Sequence, residues 1–295
     1  YSRNSRCNSN IREGAHRLLY LVGTPIGNID DMSPRAREIL EKADIVACED
    51  TRRTGLLLQQ IGVKNHLISY HEHNKASKSN AIVDHLANNE IVALVSDAGM
   101  PSISDPGEDL VKLCIENGYE VSTIPGPAAC ITALVLSGLD TRRYHFEGFL
   151  PSEGSERKKR LDAISKIHET IVLYEAPHRL LKLIDELNKF GFGNCKVAFC
   201  RELTKKFEEV IRIRVCESKE FFEKKEPRGE FVVCLEPIAL EDAPEMKDIS
   251  QEELDTLVLE YKNLGMTTKE ISREISKKTG RNKKEIYDVV VNLLK

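Results

Sequence analysis

The chain has 295 residues, long enough for two domains with separate cores. Hydrophobic residues make up 41%, charged residues 31%, and the formal charge is -4; this composition is that of an ordinary globular protein, not of a polybasic nucleic-acid binder, and leaves only local patches for contact with a polyanion. No apolar run approaches the roughly 18 to 20 residues of a membrane-spanning helix, and the start carries no signal-peptide core, so the expected compartment is the cytoplasm. The eight cysteines show no C-x-x-C spacing and sit mostly in apolar surroundings, which predicts buried reduced thiols.

Residues 1–17 are polar, carry Arg3, Arg6, Arg12 and Arg17 against Glu13, and lack periodicity. They read as a flexible arm or a remnant of expression, with an RNA-contacting arm as the sharper alternative. The fold begins at Leu18-Leu19-Tyr20-Leu21-Val22, a buried strand that runs into Gly23-Thr24-Pro25-Ile26-Gly27-Asn28. Two glycines there can let the backbone approach a ligand, yet the pattern is neither G-x-G-x-x-G nor a phosphate loop. Ser33-Pro34 caps a helix through Lys42, and Asp44 to Cys48 returns as a strand ending in Glu49-Asp50-Thr51-Arg52. Thr51 or Thr54 is the expected cap of the next helix. After the strand Leu67 to Tyr70 come His71 and His73; two histidines without further ligands predict a polar loop and no metal site.

The most informative stretch is Ser96-Asp97-Ala98-Gly99-Met100-Pro101-Ser102-Ile103-Ser104-Asp105-Pro106-Gly107, which follows the apolar strand Ile91 to Val95. A strand-to-helix connection ordinarily takes roughly two to six residues. This one has twelve, rich in Gly, Pro, Ser and Asp, and is the expected ligand loop. Asp105-Pro106 is expected to open the following helix, with Asp as its cap. Beyond the strand Glu120 to Ile124, Pro125-Gly126-Pro127 starts a small-residue helix at Ala128-Ala129-Cys130.

Tyr144 to Pro151 is taken to close a first α/β domain, 18–150, and a second α/β domain, 151–240, contains strands at 170–174, 196–200, 209–213 and 230–235. Near its start lies the basic run Arg157-Lys158-Lys159-Arg160, a solvated helix face or a phosphate contact. The remainder, 241–295, reads as a helical, helix-turn-helix-like module. Ser250-x-x-Glu253, Thr267-x-x-Glu270 and Asn282-x-x-Glu285 mark three helix starts, with turns at Gly265 and Gly280. From Tyr261 onward it holds nine Lys or Arg against four Asp or Glu, which suits nucleic acid or a dimer contact.

Nine ordered motifs carry a resemblance. They are Gly23 to Asn28, Glu49 to Arg52, His71-x-His73-Asn74, Ser96 to Pro101, Ser104 to Gly107, Pro125 to Pro127, Glu147 to Pro151, Tyr174-Glu175-x-x-His178-Arg179 and Arg201-Glu202-Leu203-Thr204-Lys205. In this order they resemble the ribosomal RNA small subunit methyltransferase I family, within the tetrapyrrole methylase-like superfamily of S-adenosylmethionine enzymes. The resemblance runs from about Leu18 to about Pro237; Met100 departs from it, where the family usually has Thr.

The resemblance implies two α/β domains of tetrapyrrole methylase type with the cofactor in the cleft between them, plus the helical module. It implies methyl transfer from S-adenosylmethionine to the ribose 2′-oxygen of a cytidine in the decoding region of 16S rRNA, within the small ribosomal subunit, by a homodimer. The matching cofactor positions would be Pro25, Asp97, Gly99, Met100, Pro101, Ile103 and Ser104, completed by Ala128, Ala129 and Tyr174. A ribose hydroxyl is a poor nucleophile, and the candidates for its base are Glu49, Asp50, His71, Glu175 and Glu202. Arg52, Arg179 and Arg201, with Arg157, Lys158, Lys159 and Arg160, are the candidate RNA contacts. A tetrapyrrole-precursor methylase on the same scaffold and a catalytically silent RNA-binding assembly protein are the alternatives.

Overall fold

Apolar β-branched segments separated by amphipathic helices form the first layer. The structure, a computed structural model, describes residues 18–239, 250–279 and 283–294. The arm 1–17, the start of the tail at Glu241, the turn at Gly280 and the cap at Asn282 lie outside them. Strands β1 (Leu18–Val22), β2 (Ile45–Cys48), β3 (Leu67–Ser69), β4 (Ile91–Val95) and β5 (Glu120–Ile124) form one parallel sheet in the order β3-β2-β4-β1-β5. Helices α1 (Pro34–Lys42), α2 (Thr51–Gln60), α3 (Lys75–Ala87) and α4 (Glu108–Glu116) make the crossovers. Side chains alternate along each strand. Tyr20, Val46 and Ala93 therefore pack on α1 through Ala36, Ile39 and Leu40, while Leu19, Ala47 and Leu94 pack on Ile82 and Leu86 of α3 and Leu110 of α4.

The second sheet comprises β6 (Tyr144–Phe149), β7 (Thr170–Glu175), β8 (Lys196–Arg201), β9 (Glu209–Arg214) and β10 (Phe231–Leu235), in the order β6-β7-β10-β8-β9. Only β6 and β7 run parallel; the other pairings are antiparallel. One face packs on α6 (Gly154–Ile164), α7 (Leu180–Lys189) and α8 (Val215–Lys224). The other receives α5 (Ala129–Ser137), whose Cys130, Ala133 and Leu134 meet Val172, Ala198 and Val232.

This packing corrects the expected division at residue 150. Tyr144–Phe149 hydrogen-bonds to β7, and so the strand expected to close the first unit belongs to the second sheet. Its polar, half-exposed pattern resembles an edge strand of either sheet, and only the pairing partner distinguishes them.

Helices α9 (Gln251–Asn263), α10 (Thr268–Thr279) and α11 (Lys283–Leu293) surround a separate small core of Leu254, Val258, Ile271, Ile275, Ile286 and Val290. The expected capping boxes form at Ser250 with Glu253 and at Thr267 with Glu270. Among the described residues six cysteines are buried and Cys216 is exposed. Among the described residues no helix is long and apolar enough to cross a membrane.

Candidate active site

The carboxyl ends of the parallel strands are where open α/β sheets place ligands, and three loops converge there. The loop after β1 is joined to the loop after β4 by paired bonds between Thr24 and Gly99, N–H to O at 2.9 Å and 3.1 Å. It meets the loop after β5 where Gly23 and Gly126 lie backbone to backbone. A Cβ on Gly23 would sit 2.6 Å from the Gly126 Cα, and so neither position tolerates a side chain. Met100 completes the junction, its sulfur accepting the Gly126 N–H at 3.3 Å.

Within the central loop Ser102 and Ser104 adopt left-handed φ values of 70° and 61°, a conformation that costs non-glycine residues about 1 kcal/mol or more. These turns alter the expected helix start. The cap of α4 is Gly107, at φ 145°, and not Asp105. Asp105 lies two residues before the cap, out of capping position, and lines a cavity instead. At α2 the cap is Asp50 instead of the expected Thr51 or Thr54; its Oδ1 accepts the Arg52 N–H at 2.8 Å. The carboxylate is the better acceptor at a helix N-terminus.

The cavity has a volume of about 390 Å³ and opens between the two sheets. Of the residues expected at a cofactor, Asp97, Gly99, Met100, Ile103 and Ser104 line one side, Ala128 and Ala129 the base of α5, and Tyr174 the opposite wall. Pro25 and Pro101 are not in the wall. Ile26 takes the place of the former, and Pro101 is buried in the loop. The Tyr174 ring is held between Phe146 and Phe149, with centroids 5.2 Å and 5.3 Å away. Its hydroxyl accepts the Cys130 N–H at 3.2 Å, and burial keeps the phenol protonated well above its ordinary range.

Charge in the wall is mostly negative. Asp97 pairs with Arg53 at 3.2 Å and accepts the Asp50 N–H at 3.1 Å. Burial, with the carboxylates of Glu49 and Asp97 nearby, raises the Asp105 pKa to about 6. Burial and Asp97 likewise raise Glu49.

The candidate bases separate by their partners. Asp50 caps α2 and binds Arg52, which holds its carboxyl well below the usual range. Glu175, with only 1% of its side chain exposed, pairs with Arg179 at 3.0 Å and Arg157 at 3.4 Å. Glu202 accepts the Glu230 N–H and binds Lys205. Glu49 has Asp97, Arg53 and His71 as charged neighbours, neither Glu49 nor His71 is in the cavity wall, and the buried His71 Nδ1 has no hydrogen-bond partner. Among the described residues no group of three or more His, Cys, Asp or Glu is arranged to hold a metal ion.

The basic run is not a single surface. Arg157 is 1% exposed and spans Glu186 at 2.7 Å, Glu175 at 3.4 Å and the Pro151 carbonyl at 2.8 Å, which corrects its reading as an RNA contact. Successive helical residues point in different directions, and the α6 phase turns Arg157 inward while Lys158 and Lys159 stay exposed. Arg160 binds Glu147, Arg179 donates to the Leu150 carbonyl, and Arg201 donates to the Arg228 carbonyl and pairs with Glu209. Arg52 is exposed beside Asp50.

Sequence reasoning missed Arg53, Asp105, Phe149, Leu203 and Val232, all in the wall. Arg53 is adjacent to the expected Arg52, and Asp105 lies inside the expected loop but was assigned to a helix cap. Phe149 and Leu203 lie inside motifs that carry the resemblance but were given no role, and Val232 reads as a plain strand residue with no signal to distinguish it.

A two-sheet α/β protein with an acidic, apolar-walled cleft at the ends of a parallel sheet is the class defined here, and residues 18–217 match the family described as Tetrapyrrole (Corrin/Porphyrin) Methylases. A solved uroporphyrin-III C-methyltransferase from Thermus thermophilus, complexed with S-adenosylhomocysteine, shares the fold, with a TM-score of 0.53 and 21% identity over 74% of this chain and 96% of its own. The chain belongs to the ribosomal RNA small subunit methyltransferase I family: it is 40% identical to the Synechocystis sp. protein of that name over 277 residues, 94% of this chain and 98% of the relative. The Thermotoga maritima protein of the same name is 42% identical over 217 residues, which make up 97% of that relative but 74% of this chain.

Proposed function

We propose that the protein methylates the ribose 2′-oxygen of a cytidine in the decoding region of 16S rRNA, with S-adenosylmethionine as methyl donor and the small ribosomal subunit as substrate. The observation that carries this reading is the chemistry of the cleft in a chain of this family. Its walls are apolar at Ile103, Ala128, Ala129 and Val232, and its charged groups are four carboxylates and one guanidinium. Arg53, the cation in the wall, is partnered by Asp97. Such a cavity suits a nucleoside bearing positive charge and disfavours a polyphosphate.

The residues therefore fit the donor. Asp97 would hold its cationic or hydroxyl groups, Ala128 and Ala129 leave room for a planar ring, and Tyr174 closes the cleft from the second sheet. The donor supplies an activated methyl group, so no protein nucleophile or metal is required. The protein's part is to align the attacking oxygen, exclude water and accept a proton. Met100 lines the wall and accepts the Gly126 N–H through its sulfur, which supports a role in joining the loops.

Exposed Lys158 and Lys159 of α6 and the basic helix α10 are the contacts this reading offers to RNA phosphate. The same reading makes the protein a cytoplasmic homodimer, with Ile131 and Val135, exposed one turn apart on α5, as an apolar face for the partner.

The test is methyl transfer from labelled S-adenosylmethionine to small subunits lacking their native modifications, with the product nucleoside identified by mass spectrometry. 2′-O-methylcytidine is expected. Donor binding without RNA labelling would move the substrate to a tetrapyrrole precursor, and RNA binding without donor binding would remove the enzyme assignment.

A further inference from the structure

The loop between β8 and β9, residues 202–208, is pinned from several sides and yet presents a bare aromatic ring. Glu202 and Thr204 hold left-handed φ values of 50° and 62°. The Thr204 N–H donates to Glu208, the Asn28 N–H donates to the Thr204 hydroxyl, and the Phe207 carbonyl accepts from Arg201 Nη1 at 3.3 Å. Backbone strain held in place by such contacts marks segments with a function. The loop sends Leu203 into the wall of the cleft, whereas Phe207 is 64% exposed, with the Lys206 ammonium 5.6 Å from its ring centroid. A ring fixed in solvent beside a cation offers the two features on which unpaired nucleotides dock, a face for the base and a charge for the phosphate.

A second cavity, about 280 Å³ in volume, opens next to this loop. Arg201 lines it and donates to the Phe207 and Arg228 carbonyls, joining the loop to the connection between α8 and β10. Its depth is apolar, at the buried Phe222 and Phe231, and its rim is charged. Glu209 is shared by Arg201 and Lys225, and Glu226 binds Arg228. Three cations against two carboxylates leave one positive charge uncompensated, enough for a single phosphodiester. Phe231 is in the wall of both this cavity and the cleft. Val232 packs towards α5 while Phe231 packs towards α7 and α8, so the two openings lie at one end of the second sheet, on either side of the first residues of β10.

We propose that Phe207 and the cationic rim of Arg201, Lys225 and Arg228 form a subsite for the nucleotide next to the one being methylated, an inference that rests on the reading of the cleft given above. The base of that nucleotide stacks on the Phe207 ring, and its phosphodiester sits at the rim. A strand whose target nucleotide lies in the cleft must leave it past an edge, and this edge carries the excess positive charge. A second copy of the chain docking the same patch across a two-fold axis would set like charges against each other. Stacking accepts any base, so the subsite fixes the register of the strand and not the identity of the neighbour.

The experiment uses the full chain, undermethylated small subunits, and the variants Phe207→Leu, Phe207→Tyr and Lys225→Gln combined with Arg228→Gln. Phe207, Lys225 and Arg228 are each more than half exposed, so the fold tolerates these changes. Subunit affinity is read by filter binding over a salt series with S-adenosylhomocysteine present, donor affinity by calorimetry, transfer rate at saturating subunits, and oligomeric state by light scattering. Phe207→Leu keeps apolar bulk without a ring face; it should weaken subunit binding by about fivefold to 150-fold, the range of one base stacked on an aromatic side chain, and hold donor affinity and saturated rate within about twofold. Phe207→Tyr should keep subunit affinity within about threefold of wild type. The Lys225→Gln, Arg228→Gln protein should lower the slope of log affinity against log salt by about 0.7, the contribution of one single-strand phosphate. Wild-type subunit affinity in Phe207→Leu, an equal loss in Phe207→Tyr, or an unchanged salt slope in the double variant overturns the subsite. A dimer that Phe207→Leu turns into a monomer overturns it as well and gives the surface to a second copy. Wild-type protein that binds donor but transfers no methyl to RNA overturns the broader reading, whereas normal wild-type transfer with unaffected variants overturns this inference alone.

Discussion

Replacing Arg157 by Ala separates a buried structural cation from a surface RNA contact. The guanidinium is 1% exposed and holds three acceptors at once: Glu186, Glu175 and the Pro151 carbonyl. With Arg157 removed, Glu186 is exposed enough at 19% to regain water, but Glu175 at 1% is not and keeps only Arg179. Breaking a buried pair from one side costs about 3 to 5 kcal/mol, and the surviving Arg179 contact puts this case at the lower end, about 3 kcal/mol. With a urea dependence of about 1 to 3 kcal/mol per molar, the unfolding midpoint should drop by about 1 to 3 M. The two sheets can unfold separately, so the transition to follow is that of the second sheet, by hydrogen exchange of β7 and β10 during the titration. The salt dependence of RNA binding by the folded variant should be unchanged. An unaltered midpoint with a salt slope reduced by about one would refute the reasoning and return Arg157 to the RNA surface.

Replacing Lys158 and Lys159 by Ser should do the opposite, leaving stability within about 0.5 kcal/mol while lowering the slope of log affinity against log salt by about 0.7 to 0.9 for each phosphate that these side chains neutralise. Filter binding over a salt series decides it, and an identical slope makes them solvated surface. Asp97→Ala should weaken S-adenosylmethionine binding by about 10-fold to 100-fold in calorimetry, the range of one charge-assisted hydrogen bond, and unchanged affinity would remove the central loop from the donor site. Deleting 241–295 should raise KM for the small subunit and leave donor affinity in place. Full activity of the truncated protein would make the module dispensable for recognition.

Several expectations were local and the structure met them. The three central strands β1, β2 and β4 lie where short apolar runs place them, because a strand buried on both faces needs little more than an apolar run bounded by turns. The long loop after β4 was legible from its twelve residues and its Gly, Pro and Ser content, and eight of the ten positions expected at a cofactor line one cavity. The capping boxes at Ser250 and Thr267 formed as spaced, since they join residues three apart.

What the sequence determined by itself was therefore the segments, their order and the chemistry available in each loop, all properties of neighbours along the chain. Tertiary structure alone decided which loops meet and which charges remain. It placed Tyr144–Phe149 in the second sheet by choosing its pairing partner, turned Arg157 inward by the phase of α6 against β7, and moved the cap of α4 from Asp105 to Gly107. The difference has one physical cause. Propensity and capping act over a few residues, whereas pairing, burial and the fate of a charge depend on residues tens of positions away that only the folded chain brings within a few ångströms.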